Sequence, residues 1–375
     1  MKIVHVIARF NVGGTATWLN TLSRELEKQG HVSHILTGNS KYPEIEARML
    51  QDLSFTRIPH LGRSLNLSDD FRALIEIRRI IKRLKPDIVN THTAKAGVLG
   101  RIAVLSLGRG RPALAHTIHG HLLTGYFSAF KVRIVILIER LLSRFTDLML
   151  FAGERVRDEC LNTNIGKLEK SAVVKPGLRL LEEINKNTSF RSLNIEIPTR
   201  LKVGWLGRLT KVKRPDRVVE IARKLSEIEF VVGGDGELKS ALQDNAPLNC
   251  HFLGWVNPQQ FWNEIDIALI TSDNEALPIS IIEAQLCSLP CVATNAGSTS
   301  EVVLDGINGF LTSMDINEMV EKLRFLATNP ELRQEFGERA QLRATQVFSP
   351  ERQASDHLRA YEKAIMLHSR LRTEN

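Results

Sequence analysis

Cysteine is scarce: Cys160, Cys250, Cys287 and Cys291 are the only four, scattered through apolar segments. That usage excludes a disulfide framework and fits buried thiols in a reducing cytosol. Cys287 and Cys291 would need two more ligands at suitable spacing to hold zinc, and the nearby histidines do not supply them, so no metal or other cofactor is expected. Long hydrophobic runs are missing too. The apolar stretch Ile134 to Ile138 is bounded by Arg133 and Glu139, far short of the roughly 18 residues a spanning helix needs. The strand-like segment after Lys2 runs directly into a glycine turn, too short for a secretion signal, so a cytoplasmic location is expected. No G-x-G-x-x-G run follows the first strand, which argues against a dinucleotide dehydrogenase. Aromatics interleaved with cations are few, which weakens a nucleic-acid-binding reading, and no nucleic-acid partner is expected.

What is present is ordinary for a globular enzyme, apart from the charge. The chain has 375 residues, enough for two domains. Residues 1 to 180 hold 28 Lys+Arg against 15 Asp+Glu, a net +13, and the remainder holds 22 against 27, a net −5. A basic N-terminal half suits an anionic partner: membrane lipid, a diphosphate-linked acceptor or nucleic acid.

Short β-branched runs alternate with amphipathic stretches along the whole chain. In the first half the strand candidates are Lys2 to Ala8, Val32 to Thr37, Asp87 to Thr91, Ala113 to Ile118, Asp147 to Phe151 and Ser171 to Lys175, with Thr17 to Lys28 and Pro43 to Leu53 as helical material. Periodicity fails between Pro176 and Thr199, and a second alternating series runs from Leu201 to Leu311. The spacing predicts an α/β protein of two facing Rossmann-like doubly wound domains, 1–178 and 200–349, joined by a linker at 179–199. A last helix over about 350–370 should return toward the first domain. Ligands of open parallel sheets bind outside the carboxyl ends of the strands, so an interdomain cleft is the expected site.

Candidate site residues gather at those strand ends. Gly13-Gly14 follows the first strand and lets backbone approach a phosphate. His92 ends a strand, with Lys95 in the loop after it, and His119 beside Gly120 ends the next strand. Arg208 and Lys213 follow the run Leu201 to Leu206; Arg grips phosphate with two donors and Lys adds a point charge, a pair suited to a leaving diphosphate. Gly234, within Gly233-Gly234-Asp235-Gly236, is a candidate nucleotide-facing turn, and the small residues before Glu301 can admit a pyrophosphate. Glu275 suits a helix start, whereas Glu283 lies among Ile281, Ile282, Ala284 and Leu286. A carboxylate in apolar company needs partners, and ribose hydroxyls are suitable ones.

At these residues the chain resembles the retaining glycosyltransferases of the GT-B fold, and among them the large bacterial family 4. Glu275 to Glu283 is similar to that family's Glu-x7-Glu signature, and Gly207-Arg208 with Lys213 is similar to its donor-diphosphate motif. The resemblance implies that Glu283 holds the donor ribose and Glu275 the donor sugar. It gives the amides around Leu277, Pro278 and Ile279 to sugar and phosphates, and Gly14 to the N-domain glycine loop. His119 matches the family's active-site histidine. Thr91-His92-Thr93, Lys95-Ala96-Gly97, Thr117 to His121 and Gly125-Tyr126-Phe127 look like a subgroup that builds capsule and O-antigen on polyprenyl-diphosphate-linked sugars. Ala276, Arg214 and Ser288 depart from the family, which commonly has glycine there.

The expectation is therefore a retaining, metal-independent hexosyl- or N-acetylhexosaminyltransferase using a UDP-sugar and a lipid-linked saccharide. His119, Arg208, Lys213 and Glu275 would be catalytic. Gly14, Gly234, Leu277, Pro278, Ile279, Glu283 and Glu301 would bind the donor, and His92 and Lys95 the acceptor. The basic and apolar stretch Tyr126 to Phe145 suggests a peripheral place on an anionic inner membrane face, its alternative being a core helix with a cationic edge. Alternatives in function are a transferase with a soluble acceptor, a UDP-sugar 2-epimerase of similar fold, and a nucleic-acid-binding module.

Overall fold

The computed structural model describes residues 1–40, 46–62, 66–120, 129–179, 197–198 and 200–373. Most of the 179–199 linker, His121 and the Gly125-Tyr126-Phe127 stretch lie outside them. Among the described residues, those up to Leu178 together with those from Pro350 onward form one compact unit, and Arg179 through Ser349 form the other.

The first unit is a parallel sheet of β1 (Lys2–Ile7), β2 (Val32–Thr37), β3 (Phe55–Arg57), β4 (Ile88–His92), β5 (Ala113–Ile118), β6 (Leu148–Phe151) and β7 (Ser171–Val173), in the order β3-β2-β1-β4-β5-β6-β7. Its helices are α1 (Gly14–Lys28), α2 (Leu67–Leu84), α3 (Ala94–Leu105), α4 (Ala129–Phe145) and α5 (Glu154–Asn162). Strand alternation sorts the core into two layers. Ile3 and Ile7 pack with Trp18, Leu19 and Leu22 of α1 on one face, and Val4 and Val6 pack with Ile77, Ile81 and Leu99 on the other. α2 starts because the Asn66 side chain accepts from the amides of Ser68 and Asp69, and it stops where Lys85 turns left-handed at φ 47°. The three-residue β3 was not anticipated, and over Pro43 to Leu53 the described part is a short 3₁₀ turn, Arg48–Asp52.

The second unit repeats the design with β8 (Lys202–Leu206), β9 (Glu229–Gly233), β10 (Cys250–Gly254), β11 (Ile267–Ile270), β12 (Cys291–Thr294) and β13 (Gly309–Thr312), in the order β10-β9-β8-β11-β12-β13. Around it lie α6 (Pro215–Lys224), α7 (Lys239–Gln243), α8 (Pro258–Trp262), α9 (Ile279–Leu286), α10 (Ile316–Thr328) and α11 (Pro330–Val347). The last helix, α12 (Pro350–Thr373), packs in the first unit against α1, β5 and β6. The Gln353 amide donates to the Trp18 carbonyl at 3.1 Å, and the Asn90 amide donates to the Tyr361 hydroxyl at 3.0 Å.

A buried ion pair ties α3 to α4. Arg101, with no exposed surface, donates to Glu139 at 2.6 Å and through Nε to the Gly97 carbonyl at 2.8 Å. Arg101→Met strands the Glu139 charge and is expected to cost about 3–5 kcal/mol in chemical denaturation. The double variant Arg101→Met/Glu139→Leu should recover most of that loss.

Candidate active site

Each sheet has one place where the strand order reverses, β1/β4 in the first and β8/β11 in the second. The loops leaving the paired strands diverge there and open a crevice at the carboxyl ends. The loops after β8 and β11 carry Arg208, Lys213 and Glu275, so three of the expected residues stand at the switch point of the second sheet.

Lys213 and Glu275 meet directly. The ammonium reaches Oε1 at 2.5 Å and Oε2 at 2.6 Å, and the Ser272 hydroxyl donates to Oε1 at 2.6 Å. Around this pair the loops are cross-braced. The Thr271 hydroxyl donates toward the carbonyls of Lys213 (3.1 Å) and Arg214 (2.8 Å) and accepts from the Trp205 indole at 3.1 Å. Arg217, buried, donates to the Thr271 carbonyl at 2.6 Å and pairs with Asp273 at 2.8 Å. Arg208 is exposed and its guanidinium, among the described residues, makes no hydrogen bond or ion pair. One cation is thus held by a carboxylate and the other is open to an anion from solvent.

Leu277 and Pro278 are buried, and Ile279 opens α9 behind Glu275. One turn on, Glu283 faces an apolar setting that pushes its carboxyl up to about 8, offset in part by the Trp262 side chain. The Trp262 indole N–H is buried and, among the described residues, short of hydrogen-bond geometry with any acceptor. At neutral pH this carboxyl is largely protonated, and a ligand offering hydroxyl donors would favour its charged form. No hydrogen bond or ion pair joins Glu283 to Lys213 or Glu275 among the described residues.

The glycines do more packing than the sequence suggested. Gly234, at φ 120°, sits so close to Gly207 that an added Cβ would lie 1.8 Å from its carbonyl oxygen. Gly297 packs likewise on the Glu275 carbonyl, at 2.0 Å, and the Ser298 amide donates to that carbonyl at 2.8 Å. The small residues before Glu301 thus brace the backbone of Glu275, and Arg343 holds the Glu301 carbonyl at 2.8 Å. Two of the departures from glycine, Arg214 and Ser288, have left-handed backbones at φ 50° and 61°. Side chains are strained there. Ser288→Gly, which forfeits no charge pair, is expected to raise stability by about 1 kcal/mol in urea denaturation.

In the first unit, Gly13 rather than Gly14 requires glycine: its φ 149°, ψ 174° backbone is open essentially to glycine alone, and Gly14 is already helical. His92 was expected to touch an acceptor, and the structure corrects that. It is fully buried, with Nε2 3.1 Å from His5 Nδ1 and Nδ1 2.9 Å from His119 Nε2, so no ring nitrogen is left for a ligand. Lys95 is ion-paired with Asp70 on α2. Burial depresses His119 to about 4, so it is neutral at physiological pH, and the Trp18 ring packs against it edge-to-face with ring centroids 4.6 Å apart. Thr93, next to His92, is held at φ 62°, ψ 158°, a strained conformation for a β-branched residue. Among the described residues no group of three His, Cys, Asp or Glu is placed to hold a metal ion.

Comparison with known families decides what this arrangement belongs to. Residues 12–180 match the model of Glycosyltransferase Family 4, and residues 188–343 match that of Glycosyl transferases group 1. The chain is a family 4 glycosyltransferase. Among its relatives, the UDP-Gal:alpha-D-GlcNAc-diphosphoundecaprenol alpha-1,3-galactosyltransferase of Escherichia coli is 29% identical over 287 residues, 71% of this chain and 73% of the relative. The O-antigen biosynthesis glycosyltransferase WbnH of Escherichia coli is 26% identical, covering 85% of this chain and 88% of the relative. The solved structure of Anabaena HepE with UDP and glucose superposes with a TM-score of 0.79 at 19% identity, over 96% of this chain and 98% of the other, which establishes the GT-B fold. For this glycosyltransferase, sequence reasoning overlooked Ser272, Asp273 and Arg217, although the polar run Thr271-Ser272-Asp273 directly after an apolar strand marks a crevice edge.

Proposed function

We propose that this glycosyltransferase moves a hexose or N-acetylhexosamine from a UDP-sugar to a polyprenyl-diphosphate-linked saccharide in bacterial capsule or O-antigen assembly, with retention of anomeric configuration and without a metal. The observation that carries the proposal is the switch-point cluster of the second sheet, where Lys213 is held on Glu275 and Arg208 is left open. An arriving diphosphate draws Lys213 partly off Glu275, and the two cations together neutralise the charge that develops as the nucleotide leaves. Glu275, freed from the ammonium, accepts sugar hydroxyls, and Glu283 accepts those of the ribose. The leaving diphosphate deprotonates the incoming hydroxyl on the same face, so no protein nucleophile is needed. In the first unit His119 meets the sugar. The donor and acceptor are suggested by the Escherichia coli relative, which acts on UDP-Gal and a GlcNAc-diphosphoundecaprenol.

Among the described residues no helix is long and apolar enough to cross a membrane. α4 nevertheless exposes Ile134, Leu137, Ile138, Leu141 and Phe145, flanked by exposed Arg133, Arg140 and Arg144. Apolar side chains rimmed by arginines suit an anionic lipid surface, where a lipid-linked acceptor resides. The deciding experiment incubates a panel of UDP-sugars with GlcNAc-diphosphoundecaprenol in acidic liposomes containing EDTA, and reads the product anomer by NMR. Turnover to an α product from an α donor is expected. An inverted product, turnover only after a divalent metal is restored, or conversion of the UDP-sugar with no acceptor present would each overturn the part it addresses.

A further inference from the structure

His5 on β1, His92 at the end of β4 and His119 just beyond β5 form a continuous hydrogen-bonded chain, His5 Nδ1 to His92 Nε2 at 3.1 Å and His92 Nδ1 to His119 Nε2 at 2.9 Å. All three side chains lie on the face of the sheet covered by α1 and α12, because they alternate with residues of the opposite layer. Each ring is neutral: burial holds His5 at about 3, His119 at about 4 and His92 well below its ordinary value. A neutral imidazole carries one N–H, and each of the two bonds needs one proton. Placing both donors on His92 would make it a buried cation, and placing both acceptors there would make it an anion. The protons therefore run in one direction along the chain, and only two orders exist.

The two orders differ at the chain's ends. With protons running from His92 back to His5, the His5 Nε2 atom carries a hydrogen, yet that atom is buried and has no partner among the described residues. The nearby His357 does not relieve it: its Nδ1 donates to the Gln353 carbonyl at 2.7 Å, and its Nε2 likewise has no partner among the described residues. With protons running from His5 toward His119, the unbonded His5 atom is a bare acceptor. A buried N–H without a protein partner is a rarer and costlier defect than a buried bare acceptor.

We propose that His5 and His92 are positioning residues that lock His119 in its Nδ1-protonated tautomer, so that His119 offers a hydrogen-bond donor, and not a base, to an oxygen of its ligand. His119 Nε2 is occupied as the acceptor from His92, and Nδ1, with no partner among the described residues, carries the proton. The Trp18 ring, perpendicular to His119 at 89°, fixes the plane in which that N–H points. The consequence for turnover rests on the transferase reading above; the tautomer does not. A donor here fits a reaction in which the departing diphosphate removes the acceptor's proton, since no basic nitrogen is then presented to compete.

Long-range ¹⁵N–¹H correlation of histidine-labelled, ligand-free protein at pH 7.5 reads the tautomers directly. His5, His92 and His119 are each expected as neutral Nδ1–H species. His92→Phe removes the donor, and His119 is then expected to drift to the Nε2–H form that free imidazoles prefer, with kcat lowered at least about tenfold and donor KM little changed. His92→Asn, whose amide N–H occupies the place of Nδ1, should restore both the tautomer and kcat. A wild-type His119 protonated on Nε2 overturns the inference, as does a His92→Phe protein whose His119 keeps its Nδ1 proton. Should either variant fail to fold, the wild-type spectrum alone decides. Absence of transfer with every donor, alongside the expected spectrum, would count against the proposed function and not against the chain.

Discussion

Replacing Lys213 with alanine is expected to lower kcat about 100- to 1000-fold, the loss typical when one preorganised charge donor to a developing anion is removed. The ammonium does two jobs at different moments. In the free protein it neutralises Glu275, whose side chain is only 5% exposed; under the proposed function it would neutralise the departing diphosphate during transfer. Among the described residues, losing it leaves Glu275 with the Ser272 hydroxyl as its remaining side-chain partner, a charge buried without a counterion. A drop in melting temperature is therefore expected in Lys213→Ala as well, and must be separated from the chemical defect. Lys213→Ala/Glu275→Gln does this: removing the stranded charge should recover stability while turnover stays low. Steady-state kinetics with a matched UDP-sugar, alongside urea denaturation of both variants, makes the comparison. A kcat within threefold of wild type in Lys213→Ala would remove the site from the second sheet's switch point.

Acid should unfold the first unit well before ordinary carboxylate titration. Four histidines there, His5, His92, His116 and His357, are at most 2% exposed. Burial is the leading cause of depression in each, to about 3 for His5 and His357 and well below the usual value for His92 and His116, with the Arg101 charge adding to the effect on His116. The sign follows from which state binds protons. Below pH 6.5 the unfolded chain takes up protons that the folded chain refuses, so stability falls as pH drops through the window between 6.5 and about 3. Each group contributes up to about 1.4 kcal/mol per pH unit, and since the unfolded ring is only half charged at pH 6.5, the four together cost on the order of 4 kcal/mol between pH 6.5 and 5.5. Glu283 in the second unit runs the other way: its folded value, raised to about 8, costs stability at high pH, and the cost shrinks as pH falls from 8 toward 4.5. Urea denaturation at pH 7.5, 6.5 and 5.5, followed by hydrogen exchange on peptides of each unit, should show the first unit failing first. A flat response over that range would mean that these rings charge in place.

The parallel α/β architecture was legible in the chain because both periodicities were strong: β-branched runs such as Ile3 to Ile7 and amphipathic runs such as Leu67 to Leu84 each repeat at their own spacing. β3 escaped because three residues carry no period, and its edge position asks for little hydrophobicity. Among the site residues, Lys213 and Glu275 were visible as charges at strand ends, and the structure brings them into contact. His92 was misread because strand-end position alone does not say which way a side chain points; its face of the sheet is closed by α1 and α12. Gly14 was chosen over Gly13 because dihedral angles are not written in residue type.

Local chemistry in the chain determined the elements, the charge imbalance between halves and the set of polar groups available at strand ends, since each depends on residues near one another in sequence. Strand order, and with it which loops meet, was decided only in three dimensions. So were the raised acidity threshold of Glu283, the bracing of Glu275 by Gly297 and Ser298, and the alignment of three histidines from three strands. Each of these depends on how much water is excluded and which distant group fills the gap, and those quantities exist only after the layers have packed.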